Sequence, residues 1–177
     1  LRELLMDSIR VSRVGELLAE GVLDAVAVTA SSYTTGEHFT FYDTAQPITP
    51  WLRSQRVSVR DSIGLDHLMA SSAIPFIFPA VKLDINGHPQ YFGDGSMRQA
   101  APISPAVHLG ADRILVVGAG RLHEPAAPRE TIVEYPNLAQ IAGHAMSSIF
   151  LDALAVDIER LQRINRTLEL LPPEARA

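Results

Sequence analysis

Helix-like and strand-like apolar segments alternate along the first two thirds of this 177-residue chain, and this alternation limits the folds open to it. Apolar residues recur at helical spacing in 4–9 and 14–18, whereas 24–30 and 38–42 have the β-branched or alternating composition of strands. The segment 113–118 is almost continuously apolar, which is typical of a parallel strand buried on both faces. The sequence therefore predicts an α/β fold with a mostly parallel sheet.

Turn signals organise the middle of the chain. Asn86-Gly87 predicts a two-residue hairpin between strands 81–85 and 90–92. The residue before Pro75 is expected to avoid the helical conformation, so the helix before it must end there. In chain order, the sequence further predicts an irregular surface segment at 46–60, a helix at 65–72, an extended segment at 76–81 and a short helix at 105–109 that ends at Gly110.

The last third of the chain divides into a loop and a helix. Three prolines and mixed charges predict a loop over 121–136. Apolar residues then recur at helical spacing, which predicts one long helix over 137–171 that packs on the preceding domain or mediates a homodimer. The domain itself is expected to span 1–120.

Composition excludes several classes of function. Twenty acidic against fifteen basic residues give a net charge of −5, which argues against nucleic-acid binding. The absence of cysteine excludes disulfides, thiolate metal sites and a cysteine nucleophile, and the six histidines lack metal-binding spacing, so neither a metal nor an organic cofactor is expected. No signal peptide or run of 18 apolar residues is found, so we expect a cytoplasmic protein, with peripheral membrane contact left open.

One acidic residue lies between two glycines directly after a predicted strand, in Tyr91-Phe92-Gly93-Asp94-Gly95. Gly93 allows close backbone approach, and Gly95 can adopt a positive φ without steric cost. Asp-Gly is also a common turn sequence, so this motif alone has a purely structural interpretation. A carboxylate at a strand end can nevertheless serve as a general base for a hydroxyl nucleophile. Ser96 is interpreted as part of the turn, since no neighbouring histidine would activate it.

Five segments match, in chain order, those of a known family, namely Ala27–Gly36, Ala70–Pro79, Tyr91–Gly95, Pro102–Ala106 and Leu109–Val117. Together they resemble the C-terminal half of a patatin-like phospholipase domain. The resemblance covers about residues 1–120 and implies a three-layer α/β/α fold and a lipid acyl hydrolase with a Ser–Asp dyad. It implies that Asp94 is the base that activates the serine without a histidine, in a loop shaped by Gly93 and Gly95.

The chain departs from this family in two motifs. No serine has glycine at both −2 and +2, and no glycine run suits an oxyanion loop. The chain is therefore expected to carry the base, to lack the nucleophile and to be inactive by itself. The expected substrate of the complete enzyme is a lipid or another acyl ester. A non-catalytic lipid- or partner-binding domain is the alternative, and acyl transfer to an acceptor other than water is a weaker one.

Two surface features have competing interpretations. Arg53, Arg56 and Arg60 could contact lipid phosphates, but the acidic net charge favours an ordinary solvated face. Phe76 and Phe78 could contact acyl chains or a membrane, but apolar residues beside a strand favour a place in the core.

Overall fold

The computed structural model describes residues 2–99, 101–117, 156–170 and 172. The chain divides into two compact units, Leu1–Gln99 with Pro105–Ala111, and Ala100–Ser104 with Asp112–Ala177. The helices are α1 (Arg2–Ser8), α2 (Arg13–Ala19), α3 (Leu65–Ser71), α4 (Ser104–His108) and α5 (156–169), with a 3₁₀ turn at Gly95–Arg98. The strands are β1 (Ala25–Ser32), β2 (His38–Thr44), β3 (Leu52–Arg53), β4 (Arg56–Arg60), β5 (Val81–Ile85) and β6 (His88–Asp94).

The first unit contains one six-stranded sheet in the order β3-β4-β2-β1-β6-β5. The α/β class is confirmed, but the prediction of a mostly parallel sheet is wrong for these strands. Only β2 and β4 pair in parallel, and the other four pairings are antiparallel. For three of the antiparallel pairs the reason is connection length, since a tight turn can only return the chain antiparallel to itself, whereas parallel neighbours need a longer crossover. Such turns join β1 to β2, β3 to β4 and β5 to β6, whereas β1 and β6 are distant in the chain.

The two faces of the sheet differ in chemistry. One face carries the aromatic core, where the Phe92 ring lies 5.2 Å from that of Phe39 and 5.5 Å from that of Phe41, both edge-on. Helix α3 packs on the sheet, with Ala70 fully buried in the same core. Side chains alternate between the faces of a strand, so the intervening residues of β1 and β2 form a second, mainly polar face. On that face Ser31, His38, Thr40 and Thr44 are buried.

Most local predictions in this unit are confirmed. Helices α1 to α4 and the hairpin lie where the sequence places them, and Asn86 and Gly87 both have positive φ, at 55° and 83°. The segment 46–60 is not irregular, because it contains β3 and β4. Ser58 holds this ribbon together, since its Oγ accepts a hydrogen bond from the Trp51 amide (2.7 Å) and donates one to the Trp51 carbonyl (2.8 Å).

Two expected extended segments are absent. The segment 76–81 begins within a turn at 75–77 and becomes a strand only at its last residue, and 113–117 contain no strand. Leu115 is 90% exposed, and none of the described strands pairs with this segment. An apolar segment becomes a strand only where a neighbour accepts its backbone hydrogen bonds, and sequence composition does not reveal that neighbour.

The second unit is described around α5. The amide of Ile103 donates a hydrogen bond to Oδ2 of Asp157 in this helix, at 3.0 Å. Helix α5 lies inside the predicted helix 137–171, whereas 137–155 and the predicted loop 121–136 lie outside the described residues. Among the helices that the structure describes, none has the length and apolar character needed to cross a bilayer.

Candidate functional site

Asp94 is the last residue of β6, and hydrogen bonds hold both its backbone amide and one of its two carboxylate oxygens. Its amide donates to the carbonyl of Ala73, at 3.0 Å. Its Oδ1 accepts hydrogen bonds from the amide (2.8 Å) and the hydroxyl (2.6 Å) of Ser96, so the side chain caps the 3₁₀ turn. In the part of the chain that the structure describes, Oδ2 accepts no hydrogen bond. One carboxylate oxygen is therefore held in place while the other is open to a further donor.

Both flanking glycines are required because neighbouring atoms approach them too closely for a Cβ, and not because of their backbone conformation. A Cβ at Gly95 would lie 2.3 Å from the carbonyl oxygen of Thr29, and one at Gly93 would lie 2.3 Å from the hydroxyl oxygen of Tyr33. Gly95 does not adopt the positive φ that glycine allows, since its φ lies outside that region. The turn after Asp94 thus packs directly on the backbone of β1, which fixes the position of the carboxylate.

Tyr33 joins this site although the sequence analysis does not single it out. The Oγ of Ser32 accepts hydrogen bonds from the amides of Thr34 (3.2 Å) and Thr35 (3.1 Å), and the Tyr33 amide donates to the Tyr91 carbonyl (2.8 Å). This turn places the Tyr33 ring over Gly93. Partial burial, and secondarily the negative charge of Asp94, raise the pKa of the Tyr33 hydroxyl. The Tyr33 hydroxyl therefore stays neutral, and it donates a hydrogen bond to Sδ of Met97, at 3.7 Å.

Ser31 and His38 form a second unpredicted feature on the polar face. They are directly opposite each other in the β1–β2 ladder and are 2% and 4% exposed. The buried Oγ of Ser31 and Nδ1 of His38 have no hydrogen-bond partner among the described residues. The alternation of β2 could have placed His38 on this face. Side chains alternate along a strand, so Phe39 and Phe41 on the core face require His38 to lie on the opposite face.

His38 should make the stability of the chain depend on pH. Burial, and secondarily the charge of Arg56, lower its pKa to about 4 from 6.5, so protonation favours the unfolded chain. The neutral, buried imidazole contributes fully to the free energy of unfolding above pH 6.5. As the pH falls towards 4, this free energy decreases by about 3 kcal/mol because of His38. Urea denaturation between pH 7.5 and 4 should show a markedly smaller loss for His38→Gln than for wild type. An unchanged loss would contradict this assignment, and His88→Gln, at an exposed position, is the control.

The segment after α3 presents apolar side chains to solvent beside the Asp94 loop. Phe76 is 98% exposed and Phe78 37%, so the favoured core interpretation of these two residues is wrong. Phe76 also has a φ of 66°, which is a strained conformation for a bulky residue. The same segment follows Ala73, whose carbonyl accepts a hydrogen bond from the Asp94 amide. This hydrogen bond connects the apolar segment to the backbone of Asp94.

Among the residues that the structure describes, no group of three or more His, Asp or Glu side chains could hold a metal ion. The Ser96 hydroxyl lies in the turn, as expected. A comparison of the chain with protein-family models, curated proteins and solved structures finds no match. The arrangement itself offers an oriented carboxylate with one open oxygen, a neutral tyrosine hydroxyl beside it and an exposed apolar segment nearby.

Proposed function

We propose that this chain carries the general base of a patatin-like serine acyl hydrolase that acts on lipids or other acyl esters. Asp94 is the base, Gly93 and Gly95 shape its loop, and the nucleophilic serine comes from sequence outside these 177 residues. The proposal rests on the motif resemblance together with one structural observation, the open Oδ2 of a carboxylate whose Oδ1 is held by Ser96.

The geometry of Asp94 suits a base that acts directly on a hydroxyl. A serine hydroxyl that donates to Oδ2 would lose its proton to Asp94 as its oxygen attacks the ester carbonyl. The proton then goes to the departing alcohol, which leaves an acyl-serine, and a water activated by the same carboxylate releases the acid. Tyr33 stays protonated, and its hydroxyl would exchange the hydrogen bond to Met97 for one to substrate.

Labelling with a serine-directed fluorophosphonate tests the proposal. In the full-length protein that contains this chain, we expect one labelled serine in a Gly-x-Ser-x-Gly sequence outside residues 1–177, together with esterase activity on p-nitrophenyl esters. The 177-residue chain alone should remain unlabelled in intact-mass spectra. A label on Ser96 or on another serine of this chain would contradict the division of roles, and an unlabelled, inactive full-length protein would contradict the hydrolase assignment.

A non-catalytic binding domain is the second candidate, and the exposed Phe76 favours it. A bulky residue held at positive φ and 98% exposed costs free energy in the isolated chain, which apolar contact with a lipid or protein partner could offset. The two candidates separate in the labelling experiment, because a binding domain carries no reactive serine in either form of the protein.

A further inference from the structure

Four residues whose polar side-chain groups have no partner in the described part of the chain form one row across the sheet. The register places Arg53 opposite Arg56, Arg56 beside His38, and His38 opposite Ser31, so the row crosses β3, β4, β2 and β1. Residues that are partners in a ladder lie on the same face, so all four side chains emerge on the polar face. Adjacent strands lie about 4.8 Å apart, which gives the row a length of about 14 Å. It ends beside Gly93, the register partner of Ser31 on β6.

The two arginines have no acidic partner among the described residues. The ion pairs between described residues join Arg2 to Asp66, Arg13 to Glu16 and His67 to Asp61, and none includes Arg53 or Arg56. Like charges directly opposite each other destabilise an antiparallel pair. Such an arrangement is unexpected in a chain with five more acidic than basic residues, where acidic partners are abundant. Arg60 on the same strand is different, because it donates a hydrogen bond to the Thr44 carbonyl at 3.3 Å.

The neighbouring histidines respond to this excess positive charge. Burial is the main cause that lowers the pKa of His38, and the charge of Arg56 is the second. Burial is also the main cause that lowers the pKa of His108, followed by the charges of Arg53 and Arg56. The His108 ring stacks on Trp51, with centroids 4.7 Å apart, which holds it near the outer end of the row. Positive potential from Arg53 on β3 and Arg56 on β4 therefore acts on this part of the polar face.

Donors line the row from its exposed to its buried end. Arg53 is exposed and Arg56 is half-buried, whereas His38 and Ser31 are almost fully buried and have an unpartnered Nδ1 and Oγ. A neutral imidazole can carry its proton on Nδ1, and a serine hydroxyl can rotate to donate. Buried polar groups without partners are costly, and a bound group that accepts their hydrogen bonds removes that cost.

We propose that this row binds a phosphate-type oxyanion, with the guanidinium groups of Arg53 and Arg56 as its charged donors and His38 and Ser31 as the donors at its inner end. Arginine is well suited to this ligand, since its planar fork donates two parallel hydrogen bonds to adjacent oxygens. The anion would also neutralise the two opposed arginines. The site is distinct from Asp94 and does not depend on the hydrolase proposal. The phosphate is either free or part of a lipid headgroup.

Calorimetric titration of the 177-residue chain tests this site with two probes, inorganic phosphate and a short-chain phosphatidic acid below its micelle concentration. We expect at least one probe to bind, and Arg56→Gln and Arg53→Gln each to raise its Kd about tenfold or more. Ser31→Ala should weaken binding without changing the net charge. Arg13→Gln removes the same charge from α2 and should leave the Kd within twofold of wild type.

The outcomes separate the sources of the anion. Binding of both probes indicates a site for the phosphate group itself, and binding of phosphatidic acid alone indicates a headgroup. Two results would overturn the proposal, namely binding of neither probe by the wild-type chain, or equal losses in Arg56→Gln and Arg13→Gln. Circular dichroism spectra of the variants establish that they are folded, and since Arg53 is exposed, its variant keeps the test valid if a substitution at a buried position unfolds the chain.

Discussion

Asp94→Asn in the full-length protein should lower esterase turnover about a thousandfold or more while the protein stays folded. Asparagine has nearly the same shape as aspartate, and its side-chain oxygen can still accept the hydrogen bonds from the Ser96 amide and hydroxyl. The turn after β6 is therefore retained. The amide nitrogen that replaces Oδ2 cannot take a proton from a serine hydroxyl, so the chemical step loses its base. Initial rates on p-nitrophenyl butyrate give the measurement.

The neighbouring hairpin offers a matched control. Asp84 on β5 also accepts a backbone hydrogen bond with its Oδ1, from the amide of Gly87 at 2.6 Å. Asp84→Asn is the same chemical change in a similar local role, outside the proposed site, and should leave turnover within about twofold. The assignment of Asp94 fails if Asp94→Asn keeps turnover within tenfold of wild type, or if both variants lose activity equally.

Local structure was predictable here wherever the signal lies within a few residues. The Asn86-Gly87 hairpin follows from the ease with which these two residues adopt positive φ, and the helices follow from apolar periodicity. Outside this hairpin, neither strand direction nor the presence of a strand was predictable, because both depend on which segments become neighbours. The segment 113–117 is the clearest case, since its composition suits a buried strand and yet the described strands leave it unpaired.

The residues of the candidate site also divide into those with a local sequence signal and those brought together only by strand pairing. Asp94 and its two glycines were found because they are adjacent in sequence. Tyr33 was missed because only the pairing of β1 with β6 brings it over Gly93. The row from Arg53 to Ser31 joins four strands, so its members are distant in sequence and only the strand pairings bring them together. Net charge describes the whole chain, whereas binding depends on local charges without partners.

Gly95→Ala should lower the free energy of unfolding by about 3 kcal/mol or more and remove any activity that depends on the position of Asp94. The added Cβ would lie 2.3 Å from the carbonyl oxygen and 2.5 Å from Oγ1 of Thr29. Thr29 lies within β1 and is bound to β2 in the sheet, so its backbone cannot move away. The turn that carries Asp94 must shift instead. Urea denaturation of the chain gives the size of the loss.

Two other glycines make the cause of this loss testable. At Gly93 the added Cβ meets the side chain of Tyr33, which is 48% exposed and can rotate away, so Gly93→Ala should cost clearly less. At Gly15, in helix α2, a Cβ meets nothing within 4 Å, and Gly15→Ala should raise stability by about 0.5–1 kcal/mol because alanine favours helix. The order Gly95, Gly93, Gly15 therefore follows the rigidity of the neighbouring atoms. If Gly95→Ala were as stable as Gly93→Ala, Asp94 would not be held by the contact between its turn and β1.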